Sequence, residues 1–214
     1  MVRGGRLPPV LLLTPGLGGT VIPLLHVLSA IAPARRCVSF TARGVDDGRE
    51  PLSCVEAMAA IHVEEAISAH PGGPFRIAGW SFGALVAFEM GVQLRREGHD
   101  AAVILLDPLA LLDAHGASPT EDAAGSPEHH RVVAAHTHAR ARYRPGSFDG
   151  PVALFRAAVA SPEAEASAAL GWDRLAVRSL EVQRSPGDHR SMLAPPHAAA
   201  LAASILAFLD RLEG

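Results

Sequence analysis

The feature that most constrains this chain is a rhythm: short apolar runs that alternate with longer segments of helical periodicity. Apolar runs lie at Pro9 to Leu13, Arg36 to Phe40, Phe75 to Gly79, Ala101 to Leu106, Val152 to Phe155 and Val177 to Val182. Each is short, as expected of a strand, and most are apolar throughout, as expected of a strand covered on both sides. Between them, helical patterns run through Val21 to Ile31, Ser53 to Ala69, Phe82 to Arg96, about Pro127 to Arg142, and Pro195 to Leu212. Strands that alternate with helices require crossover connections, so the expected class is α/β, with a mostly parallel central sheet flanked by helices. In the last helix, Leu201, Ile205, Leu206 and Leu209 recur at helical spacing and should face the sheet. Pro195 and Pro196 are expected near its first turn, where a missing N–H is tolerated.

The 214 residues suit one large domain, expected to span 1–214. With 49% hydrophobic and 19% charged residues, the chain has the means to build a core. One stretch breaks the rhythm. From Leu111 to about Glu128 the residues are mainly Gly, Pro, Ser, Asp and Ala with little periodicity, which predicts a loop or insertion. Together with the following helix it makes a lid region at about 111–142 that would lie over a site.

Composition excludes several functions. All 19 basic residues are arginine, so a lysine-dependent phosphate loop, a pyridoxal Schiff base and a lysine nucleophile are all ruled out. A net charge of −3 argues against nucleic acid and anionic lipid as partners. The apolar run Leu7 to Leu13 is short and proline-containing, a poor signal peptide, and no run approaches the roughly 20 residues that span a bilayer. A soluble cytoplasmic protein is therefore expected. Cys37 and Cys54 are too few for a disulfide framework and read as buried free thiols.

The chemistry is concentrated in Phe75-Arg76-Ile77-Ala78-Gly79-Trp80-Ser81-Phe82-Gly83-Ala84-Leu85-Val86, a strand that turns sharply into a helix. This is the context a Gly-x-Ser-x-Gly nucleophile elbow requires, and it predicts an α/β-hydrolase fold with Ser81 as nucleophile. The turn crowds the positions two before and two after the serine, so Gly79 and Gly83 are needed there. A serine hydroxyl needs a base, and in this fold an acid and then a histidine follow in the chain. The strand Ala101 to Leu106 should neighbour the Ser81 strand, which places Asp107 at the same sheet edge. The later strand ends in Phe155-Arg156-Ala157-Ala158-Val159-Ala160, with no carboxylate until Glu163. Of eleven histidines, His189 occupies the loop between the last strand and the C-terminal helix, whereas His197 falls inside the helix start. His26, His62, His70 and His99 come too early in the chain.

An oxyanion hole needs two backbone N–H donors. Phe82, directly after the nucleophile, should supply one. Gly16 or Leu17, in Thr14-Pro15-Gly16-Leu17-Gly18-Gly19-Thr20, should supply the other. This loop is not a dinucleotide fingerprint, because Val21 stands where a third glycine is required. A second cluster, His115, His129, His130, His136 and His138, invites a metal reading. It lacks a His-Glu-x-x-His helix and partner cysteines, so no metal is expected and these residues read as solvated helix histidines.

These motifs resemble the thioesterase domains of nonribosomal peptide and polyketide synthetases. The resemblance extends through Leu105-Leu106-Asp107, Tyr143-Arg144-Pro145, Gly150-Pro151-Val152-Ala153-Leu154-Phe155-Arg156, Gly171-Trp172 and Pro186-Gly187-Asp188-His189-Arg190-Ser191. It assigns the triad to Ser81, Asp107 and His189. It implies an acyl or peptidyl thioester substrate on the phosphopantetheine arm of an acyl or peptidyl carrier protein, released by hydrolysis or cyclisation through an acyl-serine, with no cofactor bound by the domain itself. Trp80 and Phe82 resemble terminal, product-releasing members more than separate editing enzymes, which usually carry His and Met there. The segment between Asp107 and Tyr143 is shorter and less helical than the usual lid. A site with so reduced a lid is expected to admit water and to favour hydrolysis. The alternatives are a stand-alone editing thioesterase or serine esterase, and a hydrolase-fold binding protein that has lost catalysis.

Overall fold

Every apolar run expected as a strand is one in the structure, a computed structural model that describes residues 9–111, 125–159, 168–175 and 177–214. The strands are β1 (Leu11–Thr14), β2 (Cys37–Ser39), β3 (Phe75–Trp80), β4 (Ala101–Leu106), β5 (Phe148–Ala157) and β6 (Val177–Ser185). They form one sheet in the order β2-β1-β3-β4-β5-β6, and every pairing is parallel. The helices are α1 (Leu25–Ile31), α2 (Val55–Ala69), α3 (Phe82–Arg96), α4 (Pro127–Arg142) and α5 (Ala198–Glu213).

The two-residue period of the strands divides the core between the faces of the sheet. Leu12, Ile77, Val103, Leu105, Val152 and Leu154 pack with α2, α3 and residues of α4. Their neighbours Leu11, Leu13, Ala78, Ile104, Leu106, Ala153 and Phe155 pack with α1 and α5. Both faces are therefore dry at β1, β3, β4 and the later part of β5, which explains why those strands are apolar, whereas the edge strands β2 and β6 are part-exposed and carry polar residues. On α5, Leu201, Ile205 and Leu209 are buried and Leu206 packs partly against the same cluster, as their spacing predicts.

Three expectations need correction. Pro195 and Pro196 lie outside the last helix: their peptide bond is cis and α5 starts at Ala198, with His197 just before it. The cysteines are free but not buried. Cys54 is exposed and its thiol donates to Glu56 Oε2 (2.9 Å), while Cys37 is half-buried. β5 begins at Phe148, earlier than its apolar run, because a register shift between Phe148 and Pro151 accommodates Gly150-Pro151 within the β5–β6 pairing.

Of the lid region at 111–142, residues 112–124 lie outside the described residues, and 127–142 form α4. Ser126 caps α4, its hydroxyl accepting from the His129 N–H (3.2 Å), with Pro127 in the first turn. At the opposite end of the sheet, buried Arg35 donates to both carboxylate oxygens of Glu213 (2.8 Å each) and to the Pro9 carbonyl (2.8 Å), which ties the end of α5 to the strand beginnings. No described helix is long and apolar enough to cross a membrane.

Candidate active site

The turn from β3 into α3 is too tight for ordinary residues. Ser81 has φ 56° and ψ −120°, a conformation that non-glycine residues rarely adopt, and it persists because its surroundings leave no other path. A Cβ on Gly79 would fall on the Gly83 carbonyl, and one on Gly83 would lie 2.7 Å from the Pro15 carbonyl oxygen. The crowding expected at these two glycines is therefore present, and the obstacle is backbone in both cases. The Thr14 hydroxyl, buried at the end of β1, donates to the Gly83 carbonyl (2.7 Å), with the Ala78 carbonyl 3.3 Å away. That bond fastens the first turn of α3 to the neighbouring strand.

β3 and β4 are paired up to Trp80 opposite Leu106, and the Ser81 N–H donates to the Leu106 carbonyl (3.0 Å). Asp107 is thus the next residue along the adjacent strand, at the same carboxyl edge as Ser81. It also has positive φ (39°), and its N–H donates to the Phe155 carbonyl (2.7 Å). Its two carboxylate oxygens have separate partners. Oδ1 accepts from the Ala157 N–H (2.9 Å), and Oδ2 lies 2.6 Å from His189 Nδ1. With Nδ1 donating to the carboxylate, the imidazole keeps Nε2 as its basic nitrogen. The Asp107 side chain is 15% exposed and that of His189 40%, so the carboxylate is sheltered while the imidazole is reachable from solvent.

His189 is held on two further sides. Trp80 Nε1 donates to its backbone carbonyl (3.1 Å), and the indole stacks on the imidazole, with 4.7 Å between centroids and 27° between planes. The loop is shaped by Asp188, whose Oδ1 accepts from the N–H groups of Arg190 (2.9 Å) and Ser191 (2.8 Å). The backbone N–H groups of Ser191 and Arg190 hold the Asp188 carboxyl below its ordinary range. Among the described residues no hydrogen bond joins the Ser81 hydroxyl to His189. Bonds of this kind are often long or poorly aligned until a substrate is in place.

The loop after β1 stands beside the start of α3. Gly16 N–H donates to the Thr20 carbonyl (3.1 Å) and Gly19 N–H to the Gly16 carbonyl (2.9 Å). Of the two candidates for the second oxyanion donor, Gly16 thus has its N–H committed inside the loop. The Leu17 N–H has no acceptor among the described residues, and the Phe82 N–H at the first position of α3 has no intrahelical acceptor. Next to this loop is a cavity lined by apolar Met58, Ile61 and Val86, with Arg43, His62 and Phe82 among its other walls.

The reading of the histidine cluster as solvated fails at His136. It is 1% exposed, its Nδ1 lies 2.8 Å from the Leu17 carbonyl, and its ring stacks on Phe82 with 4.7 Å between centroids. Burial pushes its pKa down to about 4, against the opposing pull of the Leu17 and Gly16 carbonyls, so it is neutral near pH 7. Among the described residues no three His, Cys, Asp or Glu side chains converge as a metal site would require. Sequence reasoning also missed the contacts of Thr14 and Trp80. Trp80 stood out only as a flank of the serine, and nothing in the sequence marked Thr14 as a tie.

Comparison with known proteins bears on the family and the fold. Residues 10–110 match the model of the thioesterase domain family. A nonribosomal peptide synthetase of Aspergillus terreus, pngA, is 33% identical over 104 residues, which is 48% of this chain and 11% of that protein. The chain therefore spans about a tenth of the length of such relatives. Among solved structures, the NocB thioesterase domain from the nocardicin cluster is 28% identical with a TM-score of 0.73, the match covering 94% of this chain and 93% of that one. A four-domain nonribosomal peptide synthetase, AB3403, shares the fold at 20% identity with a TM-score of 0.82, over 94% of this chain and 19% of that one. An elbow serine thus stands at the carboxyl edge of a parallel sheet, residues 10–110 resemble the thioesterase domain family, and the fold over 94% of the chain is similar to that of a solved thioesterase domain.

Proposed function

We propose that the protein releases an acyl or peptidyl chain from the phosphopantetheine thioester of a carrier protein, with Ser81, Asp107 and His189 as its triad. The observation that carries this reading is the Asp107–His189 contact of 2.6 Å, at the edge where the strained Ser81 stands. Ser81 Oγ attacks the thioester carbonyl carbon while His189 Nε2 takes its proton. Asp107 orients the ring and stabilises the imidazolium. The tetrahedral oxyanion is received by the N–H groups of Phe82 and Leu17, the first of them at the positive end of α3. On collapse the C–S bond breaks, and the pantetheine sulfur leaves as a thiol with the proton from His189. Water then attacks the acyl-serine, giving its proton to His189, which returns it to Ser81 as the acid departs. No cofactor takes part in these steps, and the carrier protein is the macromolecular partner.

The test is intact-mass detection of an acyl adduct after mixing with a chain loaded on a carrier protein, in wild type and Ser81→Ala. Wild type should gain the mass of the acyl group and Ser81→Ala should not. Turnover of Ser81→Ala at the wild-type rate would refute the assignment. Equal rates on small activated esters and on carrier-bound chains would favour a general esterase. No adduct and no turnover on either, with carrier binding retained, would favour a binding protein.

A further inference from the structure

The two proposed oxyanion donors come from different kinds of structure. Phe82 is fixed by the helix it begins, whereas Leu17 lies on a loop. Inside the loop Gly16 N–H bonds to Thr20 and Gly19 N–H to the Gly16 carbonyl, which belongs to the same peptide group as the Leu17 N–H, and Ala42 N–H bonds to Gly19 from outside; none of these bonds reaches the Leu17 carbonyl. The carbonyl of Leu17 is instead met from outside by His136 of α4.

α4 meets this loop along a single stripe. His129, Val132 and His136 are spaced i, i+3, i+7 and share a face of the helix. A Cβ on Gly18 would lie 2.8 Å from His129 Cε1, and one on Gly19 would lie 3.0 Å from Val132 Cγ1, so the loop's glycines let α4 approach this closely. At the end of the stripe the His136 ring does two things at once. It donates from Nδ1 to the Leu17 carbonyl (2.8 Å), and it lies almost flat on the Phe82 ring, 15° between planes.

We propose that His136 is a positioning residue that sets the spacing of the oxyanion hole, by holding the loop at the Leu17 carbonyl, one peptide beyond the donor N–H, against the residue that begins α3. This rests on the proposed role of Ser81. Among the described contacts His136 has none with Ser81, and it acts through the two residues that supply the N–H groups. The oxyanion forms only as the carbonyl becomes tetrahedral, so a looser spacing acts on the reaction step and leaves ground-state binding alone. A displacement of about 1 Å in such a constellation costs on the order of 100-fold.

Two variants separate the contacts. His136→Phe keeps a flat ring on Phe82 and removes the donor. His136→Asn gives up the ring and keeps an N–H near the position of Nδ1. With an acyl N-acetylcysteamine thioester, His136→Phe should lower kcat by about 30-fold and leave KM within about twofold. An acyl boronic acid, which forms a tetrahedral adduct on serine, should lose affinity by a similar factor, while the unreactive amide analogue of the substrate binds within about twofold. His136→Asn should recover kcat to within about fivefold of wild type. A kcat for His136→Phe within about threefold of wild type would overturn the proposal, as would a loss confined to KM or an Asn variant no better than Phe.

If His136→Phe does not accumulate folded, Gly18→Ala takes its place, since it disturbs the same stripe from the loop side; it should show the same split of kcat from KM, and an unchanged kcat there counts against the proposal. Failure of the Ser81 reading would be visible separately, as the absence of an acyl adduct in the wild-type protein.

Discussion

Trp80 bears on His189 in two ways, and substitution can separate them. Trp80→Phe keeps an aromatic face under the imidazole and removes the bond from Nε1 to the His189 carbonyl. One neutral hydrogen bond contributes about 1 kcal/mol, so kcat should fall by about fivefold, whereas Trp80→Ala, which also removes the stack, should fall by about 100-fold. Steady-state kinetics on one thioester substrate checks both. Ser81, Asp107 and His189 were legible as candidates because each has a local mark: an elbow between glycines, a carboxylate ending the next strand, and a histidine in the last loop. The partners of Trp80, Thr14 and His136 were not legible, because they lie 109, 69 and 119 residues away in the chain. Contacts across such separations leave no spacing to read. His136 was misread because nothing local shows that its own ring is covered: the surface it meets is Phe82 of α3, far away in the chain.

At the scale of elements, the elbow depends on how β1 grips α3. Thr14→Val keeps the shape and the strand preference and removes the hydroxyl, which leaves the buried Gly83 carbonyl without this donor. The expected cost is about 1–3 kcal/mol, measured as a lower urea midpoint, together with slower adduct formation at Ser81. Gly83→Ala places a methyl group against the Pro15 carbonyl and should be more damaging in both assays, since backbone on both sides has to move. Most element limits could be read in advance where the apolar pattern ends abruptly: α3 and β4 begin and end at the expected residues. The start of α5 was misjudged by three residues, because two prolines suit a first helical turn as well as the separate turn they occupy here. The corrected strand is β5, extended backward through Gly150-Pro151, residues that locally signal a turn and not a strand.

For the whole molecule, buried neutral histidines make stability depend on pH. His136 is held down to about 4 from an ordinary 6.5, and burial also lowers His62. The unfolded chain takes up these protons below about pH 6.5 and the folded chain does not, so the stabilisation is complete above that pH and declines as the pH falls toward 4. For His136 alone the decline amounts to about 3 kcal/mol. Urea titrations at pH 7, 5.5 and 4 should show it, with a flatter dependence in His136→Phe. The sheet that organises the core also gathers the chemistry, since the Leu17 loop, Ser81, Asp107 and His189 all follow the carboxyl ends of strands. The two tryptophans divide along the same line. Trp172 is buried near Phe88, while Trp80 lies face to face with His189. A protonated imidazole quenches an indole it touches, so in a Trp172→Phe background the emission of Trp80 becomes an optical gauge of whether the base carries a proton, readable without substrate and within a single turnover.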